Sequence, residues 1–161
     1  MAKRYKTNEV RSLQAFFLDC MEREAKAFIA KTLAYVAQGH PMYYEHRTLN
    51  LHDSYGYGIF LDGELLRHGG VEPKASEPRI IDGHVLWGKD VLKELFNGTN
   101  RTTSQGYVVM IAAAMPYAVD LETQYKYRVI SFMEQDAMQF GKSLFGKPLV
   151  SKVNIREYEA V

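Results

Sequence analysis

The chain has 161 residues, of which 47% are hydrophobic. One well-filled core fits this length, because domains usually contain about 100–200 residues, and we expect a single domain over residues 1–161. Twenty basic and nineteen acidic residues leave a formal net charge of +1, so we expect neither nucleic acid nor an anionic membrane as a partner of the chain as a whole.

The first predicted element is a long helix from about residue 8 to residue 38. This segment contains no Gly or Pro, and its apolar residues recur at helical spacing: Val10, Leu13, Phe17, Cys20, Ala25, Phe28, Ile29, Leu33 and Val36. Gly39 can adopt the left-handed conformation that ends a helix, and Pro41 cannot continue one. A helix of about thirty residues is about 45 Å long, which exceeds what a compact domain of this size needs. We therefore expect one end to pack on another surface.

A β-hairpin is predicted over residues 54–67. Asp62-Gly63 is a dipeptide that favours the two positive φ angles of a tight turn, and residues 64–67 can return as the second strand. Side chains alternate between the faces of a strand. The expected groups are Tyr55, Tyr57, Ile59 and Leu61 on one face, and Gly56, Gly58 and Phe60 on the other.

Residues 68–88 are predicted to form an irregular excursion, because glycine and proline recur there. Within it, Arg79–Ile81 and residues 84–87 could pair around an Asp82-Gly83 turn. A short helix is expected to follow over residues 89–97.

The carboxy-terminal part contains a predicted strand, a second long helix and an arm. Residues 106–115 form a β-branched apolar run of strand length. Residues 128–145 have one helical apolar stripe, made of Val129, Met133, Ala137, Phe140 and Leu144. Residues 147–161 form the arm, in which residues 149–155 alternate like a strand. The elements together predict an α+β fold, with the long amino-terminal helix and the carboxy-terminal helix packed on a small, mainly antiparallel sheet.

Neither export nor membrane insertion is expected from the pattern of apolar residues. No apolar segment follows the basic amino terminus, and no run approaches the roughly 18 residues of a spanning helix. Cys20 is the single cysteine and cannot form an internal disulfide, which is consistent with a reducing compartment or with assembly inside a cell. On an apolar helix stripe it is expected to pack as a small hydrophobic residue.

A metal-dependent hydrolase or nuclease is the alternative function that the sequence leaves open. Glu45, His46, His52 and Asp53 lie close in sequence and could converge on a metal ion. No histidine pair has the short spacing of a helical or finger-type zinc site, so loop histidines that bond locally are favoured. We expect no cofactor, no metal and no catalytic residue.

A nucleic-acid-binding accessory role is the third hypothesis. It would use Lys3, Arg4, Lys6 and Arg11 near the first helix, and it predicts an affinity for DNA that falls steeply with salt. The near-zero net charge makes it the weakest of the three.

Tyrosines cluster around the predicted turns and strand ends. A tyrosine offers a large contact area with a hydroxyl and is favoured in protein interfaces. Ordinary packing within the hairpin is an equal alternative. The tyrosines concerned are Tyr43, Tyr44, Tyr55, Tyr57, Tyr117, Tyr125 and Tyr127.

The order of the elements, together with two short motifs, resembles the small head–tail joining and tail-completion proteins of long-tailed bacteriophages. These proteins have a Thr-Gly-x-Leu-Arg-x-Ser type segment after the first helix, and residues 48–54 read Thr-Leu-Asn-Leu-His-Asp-Ser. Their later Tyr-Ala-x-x-x-Glu segment matches residues 117–122. Leu49 replaces the usual glycine, His52 replaces the usual arginine, and Thr123-Gln124 stands where Gly-Thr often follows the glutamate.

The resemblance implies a structural protein of the virion neck or tail, assembled in the cytoplasm of the bacterial host. It would form a ring with other copies of itself, dock to portal and tail proteins, and need no small-molecule substrate. A sheet with helices on one side could pair its open edge with a neighbouring copy. The residues expected to matter for structure or contact are Leu51, Asp53, Tyr55, Tyr57, Tyr117 and Glu122, with the loop 68–82 and the arm 147–161 as contact elements.

Overall fold

The structure is a computed structural model that describes residues 5–39, 48–98, 105–125, 129 and 142. Its helices are α1 (Tyr5–Ala37), α2 (Asn50–Asp53), α3 (Gly88–Gly98) and α4 (Ala118–Thr123). Its strands are β1 (Tyr55–Leu61), β2 (Glu64–Gly70), β3 (Arg79–Ile81), β4 (His84–Leu86) and β5 (Tyr107–Ala113). The predicted α+β class is confirmed. The second long helix, apart from Val129 and Lys142, and the arm 147–161 lie outside the described residues.

The long helix α1 ends where the sequence predicts. Gly39 has a φ of +68°, in the left-handed region, and its N–H donates to the carbonyl oxygen of Val36 (3.2 Å). This is the conformation that a glycine after a helix adopts to terminate it. Among the described residues, no helix combines the length and the apolar character that crossing a membrane would require.

A three-stranded antiparallel sheet forms the centre of the fold, in the order β2-β1-β5. Asp62 and Gly63 have φ values of +48° and +87°, which confirms the tight turn of the predicted hairpin. Strand β2 runs three residues past the predicted end of the hairpin, because Gly69 still pairs with Tyr57 and Gly70 with Gly56. Here ladder hydrogen bonds outweigh the preference of glycine for turns.

Helices cover both faces of this sheet. On one face the Tyr57 hydroxyl donates to Glu22 of α1 (2.9 Å). On the other face the glycines of β1 leave space for α3: a Cβ added to Gly58 would lie 2.6 Å from the ring of Phe96. The expectation of helices on one side only is therefore wrong, because paired glycines in β1 let a short helix approach the second face.

The excursion contains the hairpin that the sequence allowed. Strands β3 and β4 pair antiparallel around Asp82 (φ +50°) and Gly83 (φ +80°). Trp87 is not part of β4, and α3 begins one residue before the predicted start, at Gly88.

Candidate assembly surfaces

The second half of α1 packs on the sheet through one continuous stripe. Its members recur every three or four residues, as the helical period requires, and each is at most 4% exposed: Met21, Ala25, Ile29, Thr32 and Val36. Burial of this stripe holds the helix to the Tyr57 face of the sheet. The stripe is the part of α1 that forms the core.

The first half of α1, residues 5–20, is less covered over its described side chains, which begin at Arg11, although Leu18 packs partly against the core. From Arg11 to Cys20 no side chain is buried. Leu13, Phe16 and Phe17 are 56%, 62% and 52% exposed, and the two aromatic rings touch edge to face. Sixteen helical residues extend about 24 Å. We call this segment the free half of α1, and its three apolar side chains the α1 patch.

An ionic cluster marks the boundary between the two halves. Glu22 accepts from Lys26 (2.6 Å), Tyr57 (2.9 Å) and Arg67 (2.9 Å), and Arg67 also donates to Asp19 (2.6 Å). The hydrogen bond from Lys26, followed by that from Tyr57, lowers the pKa of Glu22 to about 2. Burial, followed by the bond to the Glu22 carboxylate, raises the pKa of Tyr57 to about 12. The cluster ties α1 to the sheet next to Leu18, which also packs against the core.

The first family-like motif, residues 48–54, forms a buried hub. Asn50 donates to the carbonyl oxygen of Glu77 (2.7 Å) and accepts from the N–H of Gly88 (2.9 Å). A Cβ on Gly88 would collide with the Asn50 carbonyl oxygen, so this position requires glycine. One side chain thus holds both ends of the segment that contains the β3–β4 hairpin.

Asp53 fastens the preceding part of the same excursion. Its carboxylate accepts the N–H groups of Lys74 (2.9 and 3.0 Å) and Ala75 (2.8 Å), and it lies 2.8 Å from Nδ1 of His52. Asp53 is 3% exposed and His52 is 8% exposed. A buried carboxylate is tolerated when its oxygens are satisfied in this way. Through these hydrogen bonds Asp53 holds the loop that contains Lys74 and Ala75.

The metal-site alternative gains no support from this geometry. Both Asp53 oxygens already accept backbone N–H groups, and Glu45 and His46 lie outside the described residues. Among the residues that are described, no three His, Cys, Asp or Glu side chains form a group that could hold a metal ion.

The ring of His52 lies beside an open cavity. It lines a groove of about 580 Å³ between the second half of α1 and residues 70–74. The other lining groups include the apolar Ile29, Leu33 and Leu49, and Asp53 does not line the groove. His52 therefore faces this groove without Asp53 beside it.

The predicted site residues separate into core and surface positions. Leu51, Tyr55 and Tyr57 are at most 3% exposed. Tyr55 donates to the carbonyl oxygen of Val129 (2.9 Å), 74 positions away. The burial of Tyr55 and Tyr57 therefore favours the interpretation that they pack within the fold over the interpretation that they contact a partner. Ser54, missed by the sequence reasoning, joins the same core because its hydroxyl accepts from the N–H of Met115 (3.3 Å).

The second family-like motif is only partly described. Tyr117 is half-buried, burial raises its pKa, and the Arg79 guanidinium lies 6.0 Å from its ring centre. Glu122 belongs to α4, but its side chain lies outside the described part. Among the remaining tyrosines, Tyr125 is 65% exposed, and Tyr43, Tyr44 and Tyr127 lie outside the described residues.

The outer edge of β5 is a second surface with no described cover. The N–H of Ala114 donates to Ser54 (3.0 Å) and that of Asp62 donates to Gly106 (3.1 Å). Because bonded and non-bonded pairs alternate in an antiparallel ladder, the even-numbered β5 residues bond to β1. The odd-numbered residues point their backbone groups outward: Tyr107, Val109, Ile111 and Ala113. Within the described ranges no strand pairs with this edge.

The nucleic-acid hypothesis depends on residues that are mostly not described. Arg11 is exposed, Lys3 and Arg4 lie outside the described residues, and the side chain of Lys6 is not described either. Comparison with family models, curated proteins and solved structures finds no match. Function must therefore be argued from the surfaces themselves and from the resemblance of the two motifs.

Proposed function

We propose that the chain is a structural protein of the head–tail junction or tail of a long-tailed phage, as a connector, tail-completion or minor tail protein. It acts by assembling into a ring with copies of itself and by docking to neighbouring portal and tail proteins. In this role it catalyses no reaction, and its place is in the virion after assembly in the host cytoplasm.

The free half of α1 is the observation that carries this proposal. Leu13, Phe16 and Phe17 are each more than half exposed, and they lie on a different face of α1 from the buried stripe of Met21, Ala25, Ile29, Thr32 and Val36. Apolar side chains that cluster on an exposed surface mark sites of protein contact. A helix with a second, exposed apolar face provides such a site.

The conformation of Leu49 supports the resemblance to the neck proteins. Its φ of +58° lies in the left-handed region, which favours glycine, and the family has glycine at this position of the motif. A glycine would adopt this backbone conformation without strain, so the residue usual in the family fits the geometry at this position. The uncharged outer edge of β5 adds a second surface suited to pairing with another chain.

The first test measures the assembly state of the purified chain. Native mass spectrometry and sedimentation velocity over a wide range of protein concentration should detect a closed oligomer of one size. Replacement of Phe16 and Phe17 by Ser should shift the population toward monomer, whereas replacement of the exposed Ala27 and Ala30 by Ser, on the sheet-bound half, should not. A chain that stays monomeric at every concentration contradicts ring formation.

The second test asks whether the chain is a virion component. Quantitative mass spectrometry of purified particles from the source host, after prophage induction, should find the chain in a whole-number ratio to the portal subunit. Well-formed particles that lack the chain would contradict the proposal.

A further inference from the structure

A short apolar pair projects from the hairpin formed by β3 and β4. Ile80 and Val85 are directly opposite each other across the two strands and are 67% and 61% exposed. Ile81 and Leu86, by contrast, pack against the core. An isolated two-stranded hairpin gains little stability from such an outward pair. We call Ile80 and Val85 the hairpin patch.

The hub around α2 holds this hairpin in a defined position. Asn50 bonds to Glu77 and Gly88, which lie on either side of the hairpin, and Asp53 bonds to Lys74 and Ala75 before it. Buried polar side chains are costly unless they are fully bonded, and a bonded network makes the structure around it rigid. The fold therefore presents the hairpin patch on a fixed support.

The α1 patch and the hairpin patch lie at opposite ends of the sheet. Arg67 binds Asp19 of α1 and pairs with Ile59, toward the Leu61 end of β1. The free half continues beyond that point. The hairpin sits at the other end, where Arg79 lies over the ring of Tyr117, which follows β5. A seven-residue strand is about 23 Å long, so the two patches of one copy are well separated.

We propose that the hairpin patch of one copy docks on the α1 patch of the next copy. This inference rests on the proposed ring. Of the seven large apolar side chains that are exposed in the described part, five belong to these two patches. Contact between two different patches of the same chain is head-to-tail, and repetition of such a contact gives a ring when the rotation between copies closes and an open filament when it does not. A second copy is thus the partner that covers both patches at once.

Charge at the two patches also fits this pairing. Asp82 is exposed at the turn of the hairpin, and Arg11 is exposed two residues before Leu13. Opposite charges at the rim of an apolar contact fix its orientation more than they add affinity.

Cysteine cross-linking tests the contact, because Cys20 is the single native cysteine and can be removed. In a Cys20→Ser background, one preparation has Phe16→Cys and another has Ile80→Cys. Mixed and oxidised, they should form a disulfide-linked dimer that contains one copy of each, whereas each preparation alone stays unlinked. The double variant should form a ladder of linked oligomers that ends at the ring size.

The matched control moves the first cysteine to the sheet-bound half of α1. Ala27→Cys is also exposed, and when it is mixed with Ile80→Cys it should form no cross-linked dimer. Thermal unfolding of every variant should match that of the Cys20→Ser parent, since the replaced residues are exposed.

Three outcomes would overturn this inference. Dimers of Phe16→Cys alone would show that two α1 patches pair with each other. A disulfide within one copy of the double variant would show that the patches meet in the same chain. A Phe16→Cys thiol that resists maleimide in the monomer would show that the chain covers its own patch. An oligomer that persists in any of these cases leaves the proposed function standing, whereas loss of every oligomer removes both.

Discussion

The two halves of α1 belong to one helix, but their apolar side chains have opposite surroundings. The stripe from Met21 to Val36 is at most 4% exposed, whereas Leu13, Phe16 and Phe17 are more than half exposed. The difference arises because the stripe faces the sheet, whereas Leu13, Phe16 and Phe17 lie on another face of the helix. Leu18, which continues the stripe into the first half, packs partly against the core. An apolar stripe therefore identifies the face of a helix that seeks a partner, but the tertiary structure decides whether that partner lies in the same chain.

The largest effect on stability is expected in the sheet-bound half. Ile29→Ala should lower the free energy of unfolding by about 2–5 kcal/mol, because Ile29 is 2% exposed and its removal leaves a cavity. Phe17→Ala removes a larger side chain from the free half and should change the free energy of unfolding by less than about 0.5 kcal/mol. Urea unfolding compares the two variants, and equal losses would contradict the contrast.

A smaller effect is expected at the boundary between the halves. Tyr57→Phe removes the hydrogen bond to Glu22 and should cost about 1.5 kcal/mol, since the acceptor is ionised. Tyr107→Phe is the control, because the Tyr107 hydroxyl makes no hydrogen bond to another described residue. Both variants can be followed by urea unfolding, and a cost as large for Tyr107→Phe would argue against a specific role for the boundary bond.

The same boundary should give the protein an acid-dependent stability. The folded pKa of Glu22, about 2, lies below its ordinary value of 4.5, so the unfolded chain takes up the proton first. The stabilisation from Glu22 is present above pH 4.5 and is lost as the pH falls toward 2. Glu22→Gln should remove this part of the pH dependence. Melting temperatures between pH 6 and pH 2 measure this pH dependence. The same slope of melting temperature against pH in both proteins would contradict the role given to Glu22.

The smallest effect on stability is expected at Leu13. Leu13→Ser should change the free energy of unfolding by less than about 0.5 kcal/mol, because the side chain is 56% exposed. The same change should nevertheless weaken assembly in solution, measured by sedimentation velocity. Thr7→Ser, in the same half of α1, controls for changes to the helix that leave the patch intact. A folded, fully assembled Leu13→Ser protein would show that the α1 patch is not required for assembly.

Much of the fold could be predicted because its signals are local. The end of α1 at Ala37, the Asp62-Gly63 turn and the β3–β4 pair follow from glycine positions and from residues that accept positive φ. The extension of β2 to Gly70 could not be predicted, because the pairing that holds Gly69 and Gly70 comes from β1 across the sheet.

The candidate site, likewise, could be predicted from the sequence only in part. Leu51, Asp53 and Tyr55 were identified through the resemblance of their motif, and all three are buried. The partners of Asp53 and of its neighbour Asn50 could not be identified, since Lys74, Ala75, Glu77 and Gly88 are 21 to 38 positions away. No spacing rule relates residues that meet only after the excursion folds back.

The amino-acid sequence by itself determined the helices, the tight turns and the apolar face of α1, because backbone preferences and side-chain periodicity act over a few residues. The tertiary structure alone decided that α3 covers the second face of the sheet, that the hub holds the hairpin, and that one apolar face of α1 stays exposed. These features depend on where distant segments meet, and burial is a property of that arrangement.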